Sequence, residues 1–360
     1  MKKLKLKTII YGTLILTVAL NSCKKPKQND GSTTTSISQK VYVLNEGNFG
    51  SGNASVSIYD ASNNNVYNDL FNTANSRPIG DVLQSMTLVN SKAYFVVNNS
   101  NKIEITNTYP LTSVGVIHGF SMPRYMVAPT NNKAYVSEYI NFSGANGRLS
   151  IIDLTTNTIT GTVAVGIQPE NMLLFNGRVY VCNSGDTLIS IINTTTDLVE
   201  SKIKVSDAPN SIAIDANGKL WVLCSGITKY NNVSPYNILS QSAGALVRID
   251  PLSNLVEATY TFPDASGLPA KLTTNGAKNK LYYSYLGGIY SQSISATSLP
   301  TIPIITRDFY GMGVDPHTEH VYIGTNGFTS NQKMIRYQSS GTPIDSIEVG
   351  VGPNGFVFAY

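Results

Sequence analysis

Pro169-Glu170-Asn171-Met172-Leu173-Leu174 and Pro209-Asn210-Ser211-Ile212-Ala213-Ile214 are two copies of one phrase. Each opens on a proline, crosses polar residues and ends in a short apolar run. A turn later each is followed by a second run with an aromatic at its centre, Arg178-Val179-Tyr180-Val181 and Lys219-Leu220-Trp221-Val222. A third run ends in Asp or Asn, as in Leu149-Ser150-Ile151-Ile152-Asp153, Ile189-Ser190-Ile191-Ile192-Asn193 and Leu246-Val247-Arg248-Ile249-Asp250. A fourth leads to the next proline. Within the runs apolar residues alternate with polar ones, the period of half-buried strands.

The second-run aromatic can be followed through the chain as Tyr42, Tyr94, Tyr135, Tyr180, Trp221, Tyr282 and Tyr322, at spacings of 52, 41, 45, 41, 61 and 40 residues. A period of roughly 40–45 residues is that of a four-stranded propeller blade. The expectation is an all-β, seven-bladed β-propeller. The first unit begins at its second strand, Val41-Tyr42-Val43, and Pro353-Asn354-Gly355-Phe356-Val357-Phe358-Ala359-Tyr360 has the form of a first strand. This last segment is therefore expected to close blade one and hide the edges an open ring would expose.

Composition agrees. Of 360 residues only 13% are charged, while Gly, Asn, Ser, Thr and Tyr are plentiful, a turn-rich β profile. Lys plus Arg number 26 and Asp plus Glu 22, a formal charge of +4. Lys2, Lys3, Lys5 and Lys7 account for that excess. A neutral body argues against nucleic acid, which needs a clustered basic surface.

Residues 1–22 read as a secretory signal: a basic start, then an apolar run from Ile9 to Leu20 too short and interrupted for a comfortable membrane span. Leu20-Asn21-Ser22-Cys23 resembles a lipobox, in which Cys23 becomes the lipidated first residue of the mature chain. Residues 23–38 then form the lipidated Cys and a polar tether, and 39–360 the propeller. The chain is expected to be exported and held at the outer membrane by its lipid alone. Cys182 and Cys224 lie inside apolar strands and are expected to be buried free thiols. There is no CxxC and no zinc set, so neither metal nor cofactor is expected.

The lipobox, the opening Val41-Tyr42-Val43-Leu44-Asn45-Glu46-Gly47-Asn48-Phe49-Gly50 and the blade pattern together resemble the YncE-like seven-bladed propeller lipoproteins of Bacteroidota. The resemblance covers about residues 40–360. It implies a binding role, since the BtuG type of that group captures cobalamin at the cell surface and hands it to an outer-membrane transporter. Surface lipoproteins of this phylum usually carry acidic residues after the lipidated Cys; here stand Lys24-Lys25-Pro26-Lys27, which leaves open the face of the membrane.

In a propeller the loops entering first strands and leaving second strands line one mouth of the central channel. Aligning units on Met86, Met126, Met172, Ile212, Leu272, Met312 and Phe356 puts Gln84, Arg124, Glu170, Asn210, Ala270, Tyr310 and Asn354 at the rim, with Ser85, Tyr125, Asn171 and Lys271 beside them. Long loops leave the second strands at Asn45 to Asn53, Glu138 to Gly147 and Ser225 to Gly244. Loops of that length are uncommon unless functional. The mouth loops carry Phe49, Tyr139, Phe142, Tyr230, Tyr236 and Phe328, aromatics that give large contact area at low entropy cost. The primary expectation is a ligand-binding protein without catalytic residues, its ligand a polar molecule of the corrinoid class by resemblance. Two alternatives stand beside it. One is protein or glycan recognition through the same face. The other is a metal-dependent lactonase-like hydrolase, with Glu170, Glu46, Glu138, Asp81 and Asp308 as carboxylates and Asn210 and Asn354 as further oxygen ligands. His118, His317 and His320 have no matched acid or nucleophile in the sequence.

Overall fold

A computed structural model describes residues 39–142 and 144–360. The signal segment, Cys23 and the tether lie outside the described residues. Seven four-stranded antiparallel sheets are arranged as blades. Their inner strands are Pro353–Ala359 (blade 1), Leu83–Val89 (blade 2), Pro123–Thr130 (blade 3), Pro169–Phe175 (blade 4), Pro209–Ile214 (blade 5), Ala270–Thr274 (blade 6) and Gly311–Val314 (blade 7). Blade 1 is completed by both ends of the described chain: Lys40 pairs with Ala359, Tyr42 with Val357 and Val43 with Phe356. The expected clasp is thus present.

Local chemistry fixes the joints. Phe175 pairs with Arg178 across the two-residue turn Asn176-Gly177, both at positive φ (48° and 72°), the arrangement an Asn-Gly hairpin favours. In blades 1 to 5 the third strand ends in Asp or Asn, and that residue begins the turn to the fourth. Asp153 accepts from the Thr155 N–H at 2.7 Å, Asn193 from Thr195 at 2.9 Å and Asp60 from Ser62 at 2.9 Å.

The second-strand aromatics are the hubs of packing. All seven are at most 2% exposed. The buried apolar residues form seven clusters, each shared by two neighbouring blades. The cluster between blades 4 and 5 joins Tyr180 and Cys182 to Val222 and Cys224. The one across the seam joins Val41, Val43 and Tyr59 to Tyr322 and Met334. The core is therefore a ring of slabs and not a single nucleus. Cys182 and Cys224 are free and buried, as their strand positions imply.

Two features have no counterpart in the strand pattern. A six-residue helix, Leu70–Asn75, sits between blades 1 and 2 with Phe71 buried beneath it. The long loop after blade 5's second strand is partly ordered, with Thr228–Tyr230 paired to Ile238–Gln241 as an outlying hairpin.

Candidate functional site at the channel mouth

Six of the seven inner strands carry a register shift where they leave the mouth. Gln84 stands between the pairs Leu83–Val97 and Ser85–Val96. Asn210 stands between Pro209–Cys224 and Ser211–Leu223, and Asn354 between Pro353–Asn45 and Gly355–Leu44. The shifted stretch holds Arg124 and Tyr125 in blade 3, Glu170 and Asn171 in blade 4, and Lys271 in blade 6. A β-bulge adds a residue to one strand and re-aims its side chain. Repeated around a ring, it turns one or two side chains per blade toward the axis. Blade 7 lacks the bulge; Tyr310 stands just ahead of its inner strand, its N–H donating to the Gly324 carbonyl at 2.8 Å.

These residues surround a cavity of about 750 Å³. It is lined by all seven rim positions anticipated from the sequence, Gln84, Arg124, Glu170, Asn210, Ala270, Tyr310 and Asn354, and by their four neighbours Ser85, Tyr125, Asn171 and Lys271. Its volume lies inside the range of roughly 300–1,000 Å³ common for small-molecule pockets. Glu46 and Ser225 also line it. Sequence alignment on first strands could not place Glu46 in the rim, because it follows a second strand.

Two hydrogen-bonded groups organise the cavity. In the first, Arg124 donates from Nε and Nη2 to Glu170 Oε1 at 3.2 and 2.8 Å. Tyr139 donates its hydroxyl to the same oxygen, and the Arg124 guanidinium lies 4.8 Å from the centre of the Tyr139 ring. Burial works against the Arg124 charge, but Glu170 outweighs it and holds the guanidinium pKa above its ordinary value. Tyr125 is pushed up to about 12, by burial first and then by the Glu170 charge. In the second group, Tyr310 donates to Glu46 Oε2 at 2.6 Å and Asn354 Nδ2 to the same atom at 3.0 Å. Burial and Glu46 together raise the Tyr310 pKa. Lys271 Nζ donates to the Asn354 carbonyl at 3.2 Å and stands 5.6 Å from the Tyr310 ring centre. Burial lowers the Lys271 pKa, partly opposed by Glu46 and Glu170. Its backbone has φ of 63°, a conformation costing a non-glycine residue on the order of 1 kcal/mol or more.

Asn210 is occupied as a strut, donating to the Pro269 carbonyl at 2.9 Å and accepting from Ser211 at 2.6 Å. Glu138 is buried and consumed by Arg148 at 3.1 Å and by Ser150. Asp81 accepts from the Gly50 N–H at 2.9 Å, tying down the first long loop. The six loop aromatics do not line the cavity. Tyr139 is buried under Arg124, and Phe328 packs edge-on to Tyr310 at 4.9 Å. Phe49, Phe142, Tyr230 and Tyr236 are exposed on the loops of the same face, 74%, 71%, 52% and 69% respectively. Among the described residues no three His, Cys, Asp or Glu side chains come together as a metal set.

The sequence profile of one family, described as a domain of unknown function (DUF5074), matches residues 39–359. The chain belongs to the DUF5074 family. A search of curated proteins returns no match to it. Solved structures similar to this DUF5074 propeller include a quinonprotein alcohol dehydrogenase-like protein from Bacteroides thetaiotaomicron, at 14% identity and TM-score 0.65, covering 89% of this chain and 78% of that one. The periplasmic gluconolactonase of Pseudomonas aeruginosa is similar at 11% identity and TM-score 0.64, covering 89% and 99%. A putative 6-phosphogluconolactonase of Bacteroides fragilis has 12% identity and TM-score 0.62, covering 91% and 99%. At such identities these likenesses describe the fold of the DUF5074 chain and leave its chemistry to its own residues.

Proposed function

We propose that the chain captures a polar small molecule in the channel mouth and holds it unchanged, as an exported lipoprotein anchored through Cys23. The carrying observation is the preorganised rim: side chains aimed inward by repeated bulges and fixed by hydrogen bonds before any ligand arrives. Preorganisation lowers the entropy lost on binding. What supports holding over turnover is that both mouth carboxylates are engaged, Glu170 by Arg124 and Tyr139, Glu46 by Tyr310 and Asn354. A hydrolase needs a base free to take a proton.

The corrinoid class is the first to test, because its peripheral amides would complement the Asn, Gln and Tyr groups of the rim. A corrinoid would fill the cavity with only part of its bulk, and the exposed aromatics Phe49, Phe142, Tyr230 and Tyr236 would meet the rest. An outer-membrane transporter is the partner this reading implies. Titration with cobalamin, cobinamide and haem, followed by calorimetry and visible absorbance, is expected to give heat and a spectral change for a corrinoid. Silence from all three rejects this ligand class. Lactone turnover by protein that retains calcium or zinc through dialysis would overturn the non-catalytic reading. Loss of fatty-acid labelling in Cys23→Ser tests the anchor.

The same four exposed aromatics support a second reading, recognition of a protein or glycan through this face. Capture of an outer-membrane protein by the wild type but not by Tyr230→Ser/Tyr236→Ser distinguishes it.

A further inference from the structure

Lys271 departs from the backbone pattern of blades 2 to 5. In blades 2 to 5 a left-handed residue stands just ahead of the inner strand, at Val82, Met122, Gln168 and Ala208. At the matching place in blade 6, Leu268 is not left-handed, and the positive φ falls instead on Lys271 at 63°. Its counterparts Ser85, Tyr125, Asn171 and Ser211 all keep negative φ. Strain of this kind persists where the surrounding structure over-determines it, and it concentrates in ligand clamps. Here it sets a cation in the wall of the mouth.

The neighbouring charges are already satisfied, and Lys271 is not. Arg124 is closed on Glu170, and Glu46 is held by two neutral donors, Tyr310 and Asn354. Among the described residues Lys271 takes part in no ion pair. An ammonium has three donors, and only one of them is spent, on the Asn354 carbonyl. Asn354 carries a second unsatisfied group. Its Nδ2 donates to Glu46 and to the Leu83 carbonyl at 3.0 Å, while its Oδ1 is buried without a partner. Buried polar atoms are almost always hydrogen-bonded, and Asn354 is one of the residues lining the cavity, so its orphan acceptor is the group that a ligand donor could satisfy.

We propose that the ligand is a small carboxylate bearing hydroxyl groups, with its carboxylate on Lys271 and a hydroxyl donating to Asn354 Oδ1. A single negative charge matches Lys271, the one cation lining the mouth that is in no ion pair among the described residues, and Glu46 and Glu170 repel it less than they would a doubly charged phosphate. Hydroxyls supply neutral donors beside a carboxylate that would repel a bare anion. The inference rests on the mouth being a capture site, but not on the corrinoid class. The test is calorimetric titration with D-gluconate and with D-glucitol, which carries a hydroxymethyl group in place of the carboxylate. Gluconate is expected to bind at least tenfold more tightly. Lys271→Met should bring it to the glucitol level, and Lys271→Arg should keep most of the gap, with melting temperature checked for each variant. Equal affinities in the wild type, a gap that survives Lys271→Met, or no gluconate binding would each overturn the proposal. With cobalamin and cobinamide titrated alongside, corrinoid binding without gluconate binding removes only the carboxylate assignment. Silence from every probe removes the capture reading as well.

Discussion

Asn354, on the last strand of the chain, donates to Glu46 Oε2, on the loop leaving its first described strand, across a sequence separation of 308 residues. The contact joins two tasks. The segment that closes the ring also fixes one of the two carboxylates of the mouth, so closure and site assembly are a single event.

Deletion of residues 352–360 should therefore damage both. It removes the inner strand of blade 1, the partner of Lys40–Asn45, and the Phe356 and Phe358 rings packed on Tyr322 at 5.8 and 5.2 Å. A fall in melting temperature on the order of 10 °C or more is expected. An unchanged calorimetric melt would show that the ring does not depend on its clasp.

Breaking the Arg124–Glu170 pair from one side should cost more than removing it whole. Arg124→Met leaves Glu170, whose side chain is only 11% exposed, with Tyr139 as its remaining partner. A loss of about 2 kcal/mol is expected for the single variant, with partial recovery in Arg124→Met/Glu170→Met. Urea melts of the four proteins of the cycle give the coupling energy, and strictly additive losses would contradict it.

Acid should weaken the outer part of blade 2 through Glu104, which lies on its third strand. Burial alone would push its carboxyl up, but hydrogen bonds from Arg77, Lys102 and Ser113 outweigh burial and bring it below its ordinary value of 4.5. A carboxylate depressed in the folded state adds stability that is fully present above its unfolded pKa and lost as pH falls through the folded one. Glu104→Gln should therefore lie below the wild type at pH 7, with the difference shrinking below about pH 4. A pH-independent difference in denaturation midpoints would rule this out.

The two strand cysteines should be silent toward thiol reagents in the folded protein. Burial raises both thiols, Cys224 to about 12, and the Cys182 thiol is raised further by Cys224 beside it. Thiolate is the reacting form. In a Cys23→Ser background, native protein should release almost no thionitrobenzoate from Ellman's reagent, and denatured protein two equivalents. Fast native release would mean that the slab between blades 4 and 5 opens readily.

The blade count was legible because one aromatic recurs where the core needs a large hub, and Asp or Asn recurs where the third strand must turn. Blade 1 was legible for the same reason, since each of its halves keeps its own part of the pattern. The bulges were not, because an extra residue leaves no period of its own; alignment on Met86 and its counterparts found Gln84, Glu170 and Asn354 without showing why they point inward. Glu46 was legible only as a carboxylate on a mouth loop and not as a rim position, because it reaches the mouth from a second strand. Tyr139 and Phe49 look alike as loop aromatics, yet one lies buried under Arg124 and the other stands in water. Only the fold tells them apart. The Leu70–Asn75 helix is too short to carry a period.

Gln39 and Tyr360 share a hydrogen bond at 3.2 Å, at the end of the paired strands remote from the cavity. A label, a surface linker or a peptide joining those two residues would leave the opening clear. The same molecule could thus be immobilised, or rewired so that its backbone starts in another blade, without touching what it holds.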